Sequence, residues 1–313
     1  MTVRRSVALA AANVLGLIAF TWPFALPAAV GNSAAHEIDA PFIVVGLLIC
    51  LGTLLFVELG RGGMGAKHVA LIGVLGAAMV ALRLPGFVGG FSAMFIVVLL
   101  AGNAFGPAFG FVLGATGTFA SGLFVGGLGP WLPFQMVAVG WVGAGAGMVR
   151  MLGPRSGWGS RVTALAVYGF AAAFAFGAIM NLWFWPFGAG DSALGWSAEA
   201  GAVGNLGRYV RFYMVTSFGW DVFGAIGNAT GVAVLGRPLL AALDRAARRM
   251  RLDLDNGAQR RESAGWPRPG SPGRGKSGLH RAGRWGKSQA GRPAESATES
   301  RPPGNTTRVR VKG

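Results

Sequence analysis

Asp221 is the side chain of this sequence with the most chemistry to offer from an apolar setting. It lies midway along a hydrophobic stretch, TSFGWDVFGAIGN, where an ionisable group is costly and tends to mark a solute or ion path, or else pairs with a neighbouring helix. Both readings stay open from sequence. Glu58 closes another apolar block beside Arg61 and suits an interfacial position. His36, His68 and His280 are dispersed, and none stands four residues from a second His or an acid on one helix face. A metal site therefore has no support. No nucleophile with a base, no paired acids and no phosphate-cradling loop occur, so neither catalytic residues nor cofactors are expected and an enzyme is disfavoured.

Amides, aromatic rings and two arginines recur at the edges of three later apolar blocks. Trp131 and Gln135 open one; Asn181, Trp183 and Trp185 close the next; Arg208, Tyr209, Arg211 and Tyr213 open the last. Flat aromatic faces with a few fixed amide and guanidinium donors would suit a small ring-containing solute. An interfacial aromatic belt would also place Trp and Tyr there, but it needs no amides. The candidate substrate-binding set is therefore Trp131, Gln135, Asn181, Trp183, Arg208, Tyr209, Tyr213 and Asp221. Arg208 and Arg211 suggest an anionic ligand or pairing with Asp191 or Glu199.

The elements that must position these residues are membrane spans. Residues 91–149 contain no charged side chain and carry Gly at short intervals, a pattern of several spans packed through small-residue interfaces. Composition agrees: 52% hydrophobic, 13% charged, mean hydropathy +0.50, far from soluble averages. The expected fold is an all-α integral membrane protein of about eight transmembrane helices, near 6–30, 41–57, 68–84, 91–102, 107–125, 131–149, 161–184 and 209–235. The fourth is short for a bilayer. The first is read as a span and not as a cleaved signal peptide, because its core is long and lacks a small-x-small cut site. The single Cys, Cys50, forms no internal disulfide and leaves the redox compartment open.

Charge sets the orientation. With the N-terminus in the cytoplasm of a cell-membrane protein, Arg4, Arg5, Arg61, Lys67, Arg150, Arg155, Arg161 and the C-terminal arginines share one side, while Glu37, Asp39, Asp191 and Glu199 fall on the other. That segregation follows the positive-inside rule with both termini cytoplasmic. The net charge of +16 resides mainly at the C-terminal end, where residues 237–313 hold eighteen Lys and Arg against six Asp and Glu. Residues 238–254 carry Leu239, Leu240, Leu243, Ala247 and Met250 at helical spacing with Arg opposite, predicting a short amphipathic helix along the inner membrane surface. Residues 255–313, rich in Gly, Pro, Ser and Arg, are expected to be disordered and to touch anionic lipid, not nucleic acid.

Small residues form the last pattern. In KHVALIGVLGAAMVALRL, Gly73, Ala77 and Ala81 recur every four positions, one smooth stripe for close helix contact; Ala8 and Ala12 repeat the idea in the first span.

Taken in order, residues 66–235 resemble the substrate-binding S component of energy-coupling factor (ECF) vitamin transporters, with similarity to the actinobacterial branch. The likeness rests on KHVALIGVLGAAMVALRLP, GNAFGPAFG, FVLGATGTFASGL and GGLGPWLPFQM. It implies a six-helix core over 61–237, from which the chain departs by two additional N-terminal helices over residues 1–60 and by the long basic tail. It also implies capture of a vitamin or precursor, cobalamin-type or another heterocycle, near the outer face. A separate membrane T component and two ATPase subunits would supply the energy. The stripe Gly73, Ala77 and Ala81 would meet the T component, with Ala8 and Ala12 as the fallback. The competing reading is a stand-alone ion-coupled secondary transporter with Asp221 as its proton or sodium site.

Overall fold

The computed structural model of the chain describes residues 3–25, 41–43, 45–50, 52–53, 66–83, 91–125, 127–153, 157–188 and 193–263. Its helices are α1 (Val3–Ala25), α2 (Ala66–Arg83), α3 (Met94–Phe105), α4 (Pro107–Val125), α5 (Leu132–Leu152), α6 (Trp158–Gly188), α7 (Gly201–Thr216) and α8 (Phe218–Ser263). Residues 45–50 are also helical, and a 3-10 turn, Ala198–Ala200, precedes α7. No β-strand occurs among the described residues. By length and composition α4, α5, α6 and the Phe218–Met250 part of α8 can each cross a bilayer, while α3 and the Leu9–Thr21 part of α1 are shorter apolar stretches. The protein is an all-α, multi-pass membrane protein. The parts of the predicted N-terminal spans and loops that include His36, Glu37, Asp39, Glu58 and Arg61, together with Asp191, His280 and the tail from 264 onward, lie outside the described residues.

Helix α5 is the axis of the bundle, packed against α4, α3, α6 and α1. The segment GNAFGPAFG explains how α3, α4 and α5 approach so closely. Gly106 takes φ 99°, a left-handed corner that favours glycine, and Pro107 starts α4 with its fixed φ. The two flanking glycines, Gly102 and Gly110, both face Gly143 of α5; a Cβ on either would overlap the Gly143 carbonyl. The motif thus folds a short helix back onto a long one with backbone touching backbone. The short fourth span predicted over 91–102 is α3, which ends at this corner.

α1 joins the bundle through a polar contact: Trp141 Nε1 donates to Asn13 Oδ1 at 2.7 Å, with Phe20 edge-on to Phe134. Ala12 is buried in this packing. It offers no free surface, which removes it as the fallback partner contact.

Two expectations near the C-terminus need correction. The last predicted span, 209–235, is two helices. Ser217, at φ −125° and ψ −30°, separates α7 from α8, and the Thr216 hydroxyl donates to its own helix at the Phe212 carbonyl (2.8 Å), a local bond that bends helices. Asp221 accordingly stands in the first turn of α8, not midway along a span. The predicted surface helix over 238–254 is instead the continuation of α8, which runs through Pro238 to Ser263, so 255–263 are helical. What holds it against the bundle is a buried ion pair. Asp244 accepts from Arg161 Nη1 at 2.5 Å and Nη2 at 3.1 Å, and Arg161 Nε donates to Asn103 Oδ1 at 2.7 Å. Arg150 stands 3.9 Å from the same carboxylate. Leu240 and Met250 are buried on that face, while Arg245, Arg248 and Arg249 are exposed.

Candidate functional site

At the end of the bundle away from this ion pair, α5, α6 and α7 present aromatic side chains. Helix α6 ends on AIMNLWFWPFG, with Pro186 inside its last turn. Trp185 is buried, and its Nε1 donates to the Leu194 carbonyl at 2.6 Å, drawing the 193–197 segment over the helix end. Asn205 of α7 fixes the same segment from the other side, its Oδ1 accepting from the Ser197 amide (3.0 Å) and its Nδ2 donating to the Ser197 carbonyl (2.7 Å). Arg208 Nη1 donates to the Gly195 carbonyl at 3.1 Å. The predicted arginine therefore braces a loop.

Under that loop lies a cavity of about 320 Å³. Trp185, Trp196 and Tyr209 supply its aromatic walls, Leu182 and Leu206 its aliphatic ones, and Gly201 and Ala202 leave space along α7. The Trp185 ring stands edge-on to both Trp196 (5.6 Å between centroids) and Tyr209 (5.3 Å). The Tyr209 hydroxyl donates to the Ala178 carbonyl, which holds its ring in place. Preorganised rings of this kind bind a flat apolar body with little conformational entropy to lose.

Of the eight residues expected from sequence, Tyr209 lines this cavity. Trp131 and Trp183 meet edge-on at 6.4 Å, and Trp183 also meets Phe134 at 6.0 Å, a neighbouring aromatic cluster on α5 and α6. Gln135 joins a group that sequence reasoning left unassigned: its Oε1 accepts from Arg83 Nη2 at 3.4 Å, and Arg83 Nη1 donates to Ser121 Oγ at 2.7 Å. The signal for Arg83 was available, since it closes an apolar helix at the end opposite the basic cluster. Asn181 Oδ1 accepts from Ser217 Oγ at 3.1 Å, while its buried Nδ2 has no partner among the described residues. Tyr213 donates to Asp221 Oδ2 at 2.7 Å. Asp221 does not line the aromatic cavity but a second, smaller one between α6 and α8. Arg211 is exposed. The cavity residues missed from sequence, Trp196 and Asn205, sit in a polar connection read as a loop.

The small-residue stripe of α2 lies on the surface of the chain. Gly73, Ala77 and Ala81 all face out of the bundle, and a Cβ on Gly73 would meet no atom of the chain within 4 Å. The opposite face of α2 packs inward through Met79, which sits against Gly117 of α4.

No curated protein and no solved structure matches the chain. One family model does, that of the ECF transporter substrate-specific component, over residues 67–236. The match takes in α2 to the first half of α8, including every helix that frames the aromatic cavity. It covers more than half of the 313 residues. The chain belongs to the substrate-specific components of ECF transporters.

Proposed function

We propose that this subunit captures a flat heterocyclic vitamin or vitamin precursor in the cavity between Trp185, Trp196 and Tyr209, and that separate T and ATPase subunits drive its import. The observation that carries the reading is the cavity itself, three rings, two of them held by hydrogen bonds, under a pinned loop in a chain of this family. Its volume of about 320 Å³ lies at the lower end for small-molecule sites. That favours a compact heterocycle over a cobalamin-type ligand. Arg83, Gln135 and the Asn181 amide provide polar contacts beside the aromatic cluster for whatever part of the solute extends from the pocket.

The aromatic end faces outward in this reading and the Arg150–Arg161–Asp244 end faces the cytoplasm, as the positive-inside rule requires. Both termini are then cytoplasmic, and the basic tail lies against anionic lipid. The exposed stripe of Gly73, Ala77 and Ala81 is the surface for the T component, where small side chains let a second helix approach closely. Purified full-length chain, extracted and assayed by mass spectrometry, is expected to release one ring-containing solute that a Trp196→Ala variant no longer carries. Reconstituted alone in liposomes, the chain should bind that solute without accumulating it. Uphill accumulation by the chain alone would instead favour the ion-coupled transporter.

A further inference from the structure

The second cavity, about 50 Å³, opens between α6, α8 and the entry to α3. Its lining is unusual for the interior of an apolar bundle. Ser92 is 2% exposed and Asn228 3% exposed, and the Ser92 Oγ and Asn228 Oδ1 both lack a hydrogen-bond partner among the described residues. The Asn228 Nδ2 donates to the Gly169 carbonyl at 3.2 Å, which commits the donor end of the amide and leaves the acceptor oxygen for the cavity. Asp221 contributes a carboxylate whose Oδ2 is bonded to Tyr213 and whose Oδ1 accepts no hydrogen bond among the described residues. Asp221 and Asn228 are two turns apart on one face of α8, and Gly224 between them leaves the space open. Gly177 makes room from the α6 side, since a Cβ there would overlap the Asp221 carboxylate. The rings of Phe95 and Phe176, 5.0 Å apart and edge-on, wall off the apolar side.

We propose that this cavity binds one monovalent cation of sodium's size, held by Asp221 Oδ1, Asn228 Oδ1 and Ser92 Oγ. Every free donor atom in the set is oxygen, the preference of a hard cation. Asp221 has no Lys or Arg ion pair among the described residues, and a carboxylate facing a cavity between apolar helices is costly unless its charge is met. A single positive charge meets it. A divalent ion would leave one charge over. A water molecule fits the volume and could bond both acceptors, but it leaves the negative charge uncompensated. This assignment does not depend on what occupies the aromatic cavity.

The test is thermal unfolding of the full-length protein in detergent, titrated with sodium chloride against choline chloride at constant ionic strength. The expected result is a saturable upward shift of the midpoint, roughly 5 °C at saturation, with potassium at least tenfold weaker in half-saturation. Radioactive sodium should bind at one ion per chain. Asp221→Asn should abolish the sodium response while keeping the protein folded, and Ser92→Ala should raise the half-saturating concentration about tenfold. A midpoint indifferent to sodium, meaning water only, overturns the site, as does a sodium response that survives Asp221→Asn. If Asp221→Asn does not fold, the wild-type stoichiometry and Ser92→Ala decide: no bound sodium, or an unchanged half-saturation, overturns it equally.

Discussion

The two sides of this bundle cohere by opposite means. Where α3, α4 and α5 meet, contact is made by the absence of side chains: Gly102, Gly110 and Gly143 bring backbones together and leave no space between them. Where α6, α7 and α8 meet, contact is made by large and polar side chains, and cavities remain. The first arrangement has no side chains at its crossing to rearrange. The second is held at a few bonded points, which is what a site that must admit and release a solute needs. Rigid scaffold and yielding site are written in different residue alphabets within one chain.

The sharpest way to break the comparison is to put volume into the glycine crossing. Gly143→Val should destabilise the protein by at least about 3 kcal/mol, since its Cβ would overlap the Gly110 carbonyl; aggregation on size-exclusion chromatography is the expected readout. The Arg161–Asp244 pair comes next or alongside. Both side chains are about one-tenth exposed, so Asp244→Ala strands a buried guanidinium and should cost about 3–5 kcal/mol, whereas Arg161→Met with Asp244→Leu should recover most of that loss. A double-mutant cycle on thermal midpoints checks it.

Smaller effects on the fold are expected at the aromatic cavity and on the outer face of α2. Trp196→Ala should lower stability by about 1–2 kcal/mol but reduce retained solute at least tenfold, a separation of stability from binding that α3–α5 substitutions cannot produce. Least of all should Ala77→Leu disturb the fold. Ala77 faces out of the bundle, so thermal midpoint and solute content should stay unchanged while co-purification with the T component falls.

Sequence made the scaffold legible because membrane helices announce themselves by apolar length: α2, α4 and α5 fall within a few residues of the predicted spans. The shared face of Gly73, Ala77 and Ala81 was equally readable, since small residues every four positions align whatever surrounds the helix. Harder to see was the division of 209–235 at Ser217. That break has no Gly or Pro to mark it and depends on a hydroxyl returning to its own helix. The continuation of α8 through Pro238 was hidden for the converse reason. Proline argues for a stop, and tertiary contacts, chief among them the pairing of Asp244 with Arg161 eighty-three positions away, hold the helix on course. At the candidate site, the aromatic residues and amides singled out from sequence gather toward one end of the bundle, and one of them, Tyr209, lines the aromatic cavity. Which of them share one cavity is set by how the 193–197 segment folds over Trp185, and that information lies in side-chain-to-backbone bonds without a periodic signature.

The central claim is that the Trp185–Trp196–Tyr209 cavity is where an organic solute is captured. Mass spectrometry of small molecules released from purified full-length chain, wild type beside Trp196→Ala and Ala77→Leu, tests it most directly. The account predicts one heterocyclic compound near one equivalent per chain in wild type and Ala77→Leu, and at least tenfold less in folded Trp196→Ala. Equal retention of the compound by Trp196→Ala would contradict it.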